Sequence, residues 1–168
     1  LVDYLRGDST DITDVGSLIY IDANHQINKN NIAEFVDVDA IPWVDRSSFD
    51  LDMIATYSTR LPNKLVEEKY DVRFGSILTS RGCPYKCGFC STRLLWGAGI
   101  RYRNIADVMK EIEMMKNEHG INTFFFPDDN INTDKKNFAA FLKELKKQNI
   151  RWLSGGLQIS SMTEEIVS

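Results

Sequence analysis

The most regular hydrophobic pattern lies between residues 74 and 168. Ile105, Val108, Ile112 and Met115 recur at helical spacing, which gives that stretch one apolar face. Asn104 precedes it as an N-cap, Asp107 follows three residues later in capping-box fashion, and Gly120 ends it. Phe138, Phe141, Leu142 and Leu145 repeat the spacing and predict a second helix, capped by Thr133 or Asp134. Between the helices, Thr123-Phe-Phe-Phe126 is short and apolar, as in a strand buried on both faces. Phe74-Gly-Ser-Ile-Leu-Thr79 and Ile150-Arg-Trp-Leu153 predict strands before and after it. Ser161-Met-Thr-Glu164 has the capping-box form that opens a third helix. Strands that alternate with helices predict an α/β fold with parallel pairing. In barrels built this way, chemistry sits at the C-terminal ends of the strands.

Residues 1–70 follow a different pattern. Leu1-Val-Asp-Tyr-Leu-Arg6 reads as the end of a helix stopped by Gly7. Leu18-Ile-Tyr-Ile21 and Gln26-Ile27 flank polar residues and predict a small hairpin. Pro42 argues against regular structure in the stretch 38–46, where Trp43 is read as an anchor onto the following domain. The expected organisation is an irregular linker over 1–70 and an α/β core over 71–168. The chain starts at Leu1 rather than Met and stops where a helix is expected to begin. It is therefore read as a piece of a longer protein.

Composition narrows the classes. The chain has 168 residues, 43% of them apolar, and a net charge of −4. That is a globular composition with no basic footprint for nucleic acid. No apolar run approaches the ~20 residues of a membrane span. Free thiols point to a reducing compartment, so the expected location is cytoplasmic.

The three cysteines change the picture most. Cys83, Cys87 and Cys90 have the spacing C-x3-C-x2-C and are the only cysteines in the chain. They bring three soft thiolates to one short loop and leave an inorganic centre one protein ligand short. Structural zinc takes four protein ligands, and iron–sulfur clusters are held by Cys thiolates, usually four. Three thiolates on a 4Fe–4S cluster leave one iron open. Other readings stay open from the residues alone. A zinc site would recruit His25 or His119, neither of which lies at finger-like spacing. A disulfide leaves a spare thiol, and a Cys87–Cys90 redox pair leaves Cys83 unexplained.

Ser80-Arg-Gly-Cys-Pro-Tyr-Lys-Cys-Gly-Phe-Cys90 resembles the signature of radical SAM enzymes. The resemblance implies a partial (β/α)6 barrel, of which residues 71–168 supply the N-terminal half. It implies a 4Fe–4S cluster on Cys83, Cys87 and Cys90, and S-adenosylmethionine (SAM) on the open iron. It also implies reductive cleavage of SAM to methionine and a 5′-deoxyadenosyl radical. Phe89 would then shield the cluster or flank a planar ligand. Such a half-barrel alone is expected to be inactive.

Softer resemblances point to the branch of that family with an N-terminal cobalamin-binding domain. Residues 15–21 and 37–46 are similar to the segment that joins the two domains in that branch. Val38 and Val44 depart from the usual Leu and Pro. Cobalamin would enter through a domain outside this chain, whose usual Asp-x-His-x-x-Gly motif is absent here. Phe126-Pro-Asp-Asp-Asn-Ile131 is similar to the branch's F-x-D-D-x-F, with Ile131 in place of the aromatic. By that likeness Asp129, and after it Asp128, is the expected contact for the methionyl amino group. From the residues alone, either Asp instead begins a loop or caps a helix. Gln158 stands where related sequences carry Arg, with a polar head but no charge. Arg101 and Arg103 lie in a run similar to V-R-x-R-S and are read as loop anchors, anion contacts or surface residues.

Two classes of function follow. The first is a radical SAM enzyme that performs methyl transfer or cyclisation at an unactivated carbon. Its partners would be a flavodoxin- or ferredoxin-type one-electron donor and a small-molecule or lipid-like substrate. The second is a non-catalytic electron-transfer or zinc-binding module. A tRNA methylthiotransferase is a rival within the first class, but its strand typically ends Gly-Gln-Asn where this chain has Asp128-Asp-Asn130.

Overall fold

The computed structural model describes residues 2–8, 11–50 and 72–163. The chain divides into two compact units, Leu1–Asp37 and Val38–Ser168.

In the first unit, helix α1 (Val2–Arg6) precedes an antiparallel hairpin of β1 (Ile19–Ile21) and β2 (Ile27–Lys29). Polar side chains hold it. The Asp22 carboxylate accepts from the backbone N–H groups of Asn24 and Gln26, both at 2.9 Å, which fixes the hairpin turn. Asn30 Nδ2 donates to the carbonyls of Ile12 and Val15. Ile19, Ile21 and Ile27 stay exposed, so this hairpin has little core of its own.

The second unit is built on a parallel sheet of β3 (Phe74–Ser76), β6 (Thr123–Phe126) and β7 (Arg151–Ser154), in that order. Between β3 and β6 lie β4 (Ser80–Cys83), α2 (Thr92–Trp96), β5 (Gly99–Tyr102) and α3 (Ile105–His119). Helix α4 (Lys135–Lys147) connects β6 to β7. The fold is mixed α/β, with a parallel sheet and no closed barrel among the described residues, as a partial barrel requires. Apolar residues of α3 (Val108, Ile112, Met115) and α4 (Phe138, Phe141, Leu145) cover one face of the sheet. Phe124 and Phe126 meet them and are fully buried. The Phe126 and Phe141 rings pack edge to face at 5.3 Å. Phe125, on the opposite face, is only half-buried. The expectation of a strand buried on both faces therefore holds on one face, because an open sheet leaves its inner side partly uncovered.

The predicted strand 74–79 is shorter than expected. After Ser76 the chain turns, and Ser80–Cys83 pairs antiparallel with Gly99–Tyr102. Gly82 makes this hairpin feasible. Its φ is +89°, and a Cβ there would lie 2.6 Å from the Gly99 carbonyl oxygen. The hairpin and α2 were not expected from sequence. The third helix expected after Ser161 lies largely outside the described residues, which show a 3-10 turn at Ile159–Ser161.

Asn104 caps α3 as expected, its side chain accepting from Ala106 N–H at 2.9 Å. The reciprocal bond comes from elsewhere. Asp39, not Asp107, accepts from Asn104 N–H at 2.7 Å. Asp107 instead binds the Trp43 indole N–H at 3.0 Å and Arg103 at 2.7 Å. Trp43 thus anchors the 38–46 stretch on α3. Glu111, 3% exposed, takes Arg46 on one oxygen and Arg103 on the other, each at 2.8 Å. Removing one arginine leaves a buried carboxylate with half its compensation. Arg46→Ala is expected to cost about 1.5–3 kcal/mol of stability in denaturant titration. A loss below ~0.5 kcal/mol would show that Arg103 alone satisfies Glu111.

Candidate functional site

The three parallel strands end on one side of the sheet, and each is followed by a loop that carries polar or sulfur chemistry. The first loop holds the cysteines. Cys83 closes β4 opposite Gly99, so the hairpin pins both ends of the stretch between them. Inside that stretch Cys90 N–H donates to Cys87 O at 3.1 Å, and α2 follows. Arg101 donates to the Trp96 carbonyl at 3.2 Å, and Arg81 lies 4.9 Å from the centre of the Trp96 ring. Arg101 is therefore a loop anchor. Arg103 is engaged by Leu78 O, Asp107 and Glu111.

All three cysteines are free thiols. Cys83 is half-buried, and Cys87 and Cys90 are exposed. They line one open cavity of about 390 Å³ with Tyr85, Lys86, Thr92, Arg93 and Leu94. That volume lies within the range of small-ligand pockets. Hydrogen bonds from the hydroxyl and the backbone N–H of Thr92 hold the Cys90 thiol below its usual range, against weaker opposition from burial and Asp129. Two cationic side chains on the same wall suit bound thiolates. Among the described residues, no three His, Cys, Asp or Glu side chains converge as a single metal ion demands. By donor chemistry alone, three soft thiolates on one short loop suit an iron–sulfur cluster. His119 ends α3 just before β6, at the far end of the sheet from the cysteine loop, so it is no fourth ligand there.

The second loop follows β6. Asp128 and Asp129 are neighbours with opposite environments. Asp128 is 1% exposed. Its carboxylate accepts from Thr79 N–H at 3.0 Å, Thr79 Oγ1 at 2.9 Å and Ser80 Oγ at 2.6 Å. Burial pushes its carboxyl above the usual range, while the hydrogen bonds from Ser80 and Thr79 oppose the shift. It acts as a strut between the end of β6 and the start of the hairpin. Asp129 is exposed, and its Oδ1 accepts from Thr92 Oγ1 at 3.0 Å. This bond brings the expected amino contact beside the third cysteine.

The third loop follows β7. A Cβ on Gly156 would lie 2.3 Å from Asp129 O and 2.8 Å from Asp128 O. Only glycine permits so close an approach of the β7 loop to the β6 loop. Gln158 accepts from the Tyr85 hydroxyl, which links this strand end to the cysteine loop. Asn132, fully buried, fixes Gln158 by a reciprocal backbone pair at 2.8 and 2.9 Å. Phe89 is 94% exposed. Sequence reasoning missed Thr92, Asn132 and the Tyr85 tether. Thr92 had one signal, a hydroxyl two residues after a cysteine at a helix start. Asn132 had none.

No family profile matches the chain. It is 34% identical over 107 residues to cytidylyl-2-hydroxyethylphosphonate methyltransferase of Streptomyces wedmorensis, covering 62% of this chain and 20% of that protein. It is 35% identical over 80 residues to the anaerobic magnesium-protoporphyrin IX monomethyl ester cyclase of Cereibacter sphaeroides, covering 48% of this chain and 13% of that protein. Its fold resembles that of the cobalamin-dependent S-adenosylmethionine radical enzyme OxsB with aqua-cobalamin and S-adenosylmethionine bound. The TM-score is 0.60 at 16% identity, over 91% of this chain and 20% of that one. The chain thus spans about a fifth or less of these proteins. What this likeness shows is the fold: mixed α/β with a parallel sheet and no closed barrel among the described residues. Among the described residues no helix is long and apolar enough to cross a membrane.

Proposed function

We propose that this chain is the first half of a radical SAM core, with an upstream linker, and that Cys83, Cys87 and Cys90 hold a 4Fe–4S cluster. One observation carries the reading: three free thiols share one open cavity at the C-terminal ends of parallel strands. Such a cluster would supply the electron for reductive cleavage of SAM to methionine and a 5′-deoxyadenosyl radical. The protein's own residues bind and orient. Asp129, exposed beside Cys90, accepts from the methionyl amino group, a charge-assisted hydrogen bond. Asp128 holds the strand end in place. Gln158, tethered by Tyr85, offers its amide N–H to the cofactor or substrate. Phe89, uncovered in the protein, packs against a bound ligand and keeps water from the cluster.

The chain's likeness to a methyltransferase and a cyclase supports methyl transfer or cyclisation at an unactivated carbon of a small-molecule or lipid-like substrate. Cobalamin would come from a domain outside this chain, and electrons from a flavodoxin- or ferredoxin-type donor. Anaerobic reconstitution of the full-length protein tests the reading. It should yield about four irons and four sulfides at this loop. Stoichiometric zinc that iron does not displace would refute it.

A further inference from the structure

We propose that Thr92 is a positioning residue that holds the Asp129 carboxylate beside the Cys90 sulfur and so sets the geometry of the SAM amino contact. The inference rests on the cluster reading above. Thr92 opens α2 and lines the cavity that holds the three cysteines. Its Oγ1 donates to Asp129 Oδ1 at 3.0 Å. Among the described residues, Thr92 is the only hydrogen-bonding partner of the Asp129 side chain.

A threonine hydroxyl has one proton. Here two acceptors adjoin it, the Asp129 carboxylate and the Cys90 sulfur. A sulfur committed to iron is a poorer acceptor, so the proton then goes to Asp129. Thr92 thus ties together two groups from different strand ends, one for iron and one for the ammonium. With Oδ1 held, Oδ2 is left for the incoming amino group. Without the hydroxyl, Asp129 is an exposed side chain free to change rotamer, and ordering it would weaken binding. Val in place of Thr keeps the shape and the backbone N–H and removes only the hydroxyl.

The experiment uses the reconstituted full-length protein, with Thr92→Val and Thr92→Ser beside the wild type. Iron content, the SAM dissociation constant and the EPR spectrum of the reduced cluster are measured for each. Thr92→Val should keep its iron, since all three cysteines remain. It should bind SAM about tenfold more weakly, the cost of ordering a released Asp129 side chain on binding. Its SAM-induced change in the EPR spectrum should shrink. Thr92→Ser should restore both. A Thr92→Val protein with full iron and SAM affinity within twofold of wild type overturns the inference alone. So does a Thr92→Val protein that loses its iron, or failure of Thr92→Ser to restore binding. A wild-type protein that takes up no cluster overturns the underlying reading, and the inference with it.

Discussion

Replacing Cys83, Cys87 or Cys90 with Ala in the full-length protein is expected to abolish cluster assembly. Iron should fall from about four per chain to well under one, with loss of the brown chromophore and of the reduced EPR signal. The effect should be all-or-none for each position. Three protein thiolates leave no spare. Stability should change little at Cys87 and Cys90, which are exposed. Cys83 is half-buried at the hairpin's closing pair, so its variant should lose somewhat more. Full iron in any one variant would remove that cysteine from the ligand set.

The second large effect separates two adjacent carboxylates. Asp129→Ala should leave folding within about 0.5 kcal/mol of wild type, as exposed sites do. It should weaken SAM binding by about 1.5–3 kcal/mol, the loss of a charge-assisted hydrogen bond. Asp128→Ala should do the reverse first. It strands Thr79 N–H and the hydroxyls of Thr79 and Ser80, all buried. That should cost on the order of 3 kcal/mol. Thermal unfolding and calorimetric SAM titration of the two variants would distinguish them. Equal loss of SAM affinity, with no loss of stability in Asp128→Ala, would reverse the assignment.

The parts of the fold that rest on local chemistry were legible in the sequence. Asn104 and Gly120 bound α3 because a cap acts within a few residues, and the spacing of its apolar face needs no partner to be read. The Phe-rich strand and the helix capped by Asp134 were legible for the same reason. What escaped depends on distant pairings. The β4–β5 hairpin joins residues separated by the whole cysteine loop. Nothing in Ser80-Arg-Gly-Cys83 announces a strand until Gly99-Ile-Arg-Tyr102 lies beside it. Asp107 was read as a capping-box partner from its offset alone, but Asp39, far off in sequence, occupies that role.

The site divides along the same line. The cysteine spacing is local and pointed to the chemistry directly. The two carboxylates were indistinguishable in sequence, because burial and exposure are tertiary properties. Asp128 faces Thr79 and Ser80, while Asp129 faces Thr92, and only the packed strand ends show the difference. Tyr85 and Gln158 likewise meet only because the first and third loops rise on the same side of the sheet.

The central claim is that this loop holds a cluster that cleaves SAM, and one measurement meets it directly. The full-length protein, reconstituted anaerobically and reduced with dithionite, is incubated with SAM, and the products are quantified by mass spectrometry. The account predicts 5′-deoxyadenosine and methionine, formed in step and absent from the Cys90→Ala protein. A protein with a full complement of iron that leaves SAM intact, with or without a ferredoxin-type donor, would contradict it and would leave an electron-transfer module in its place.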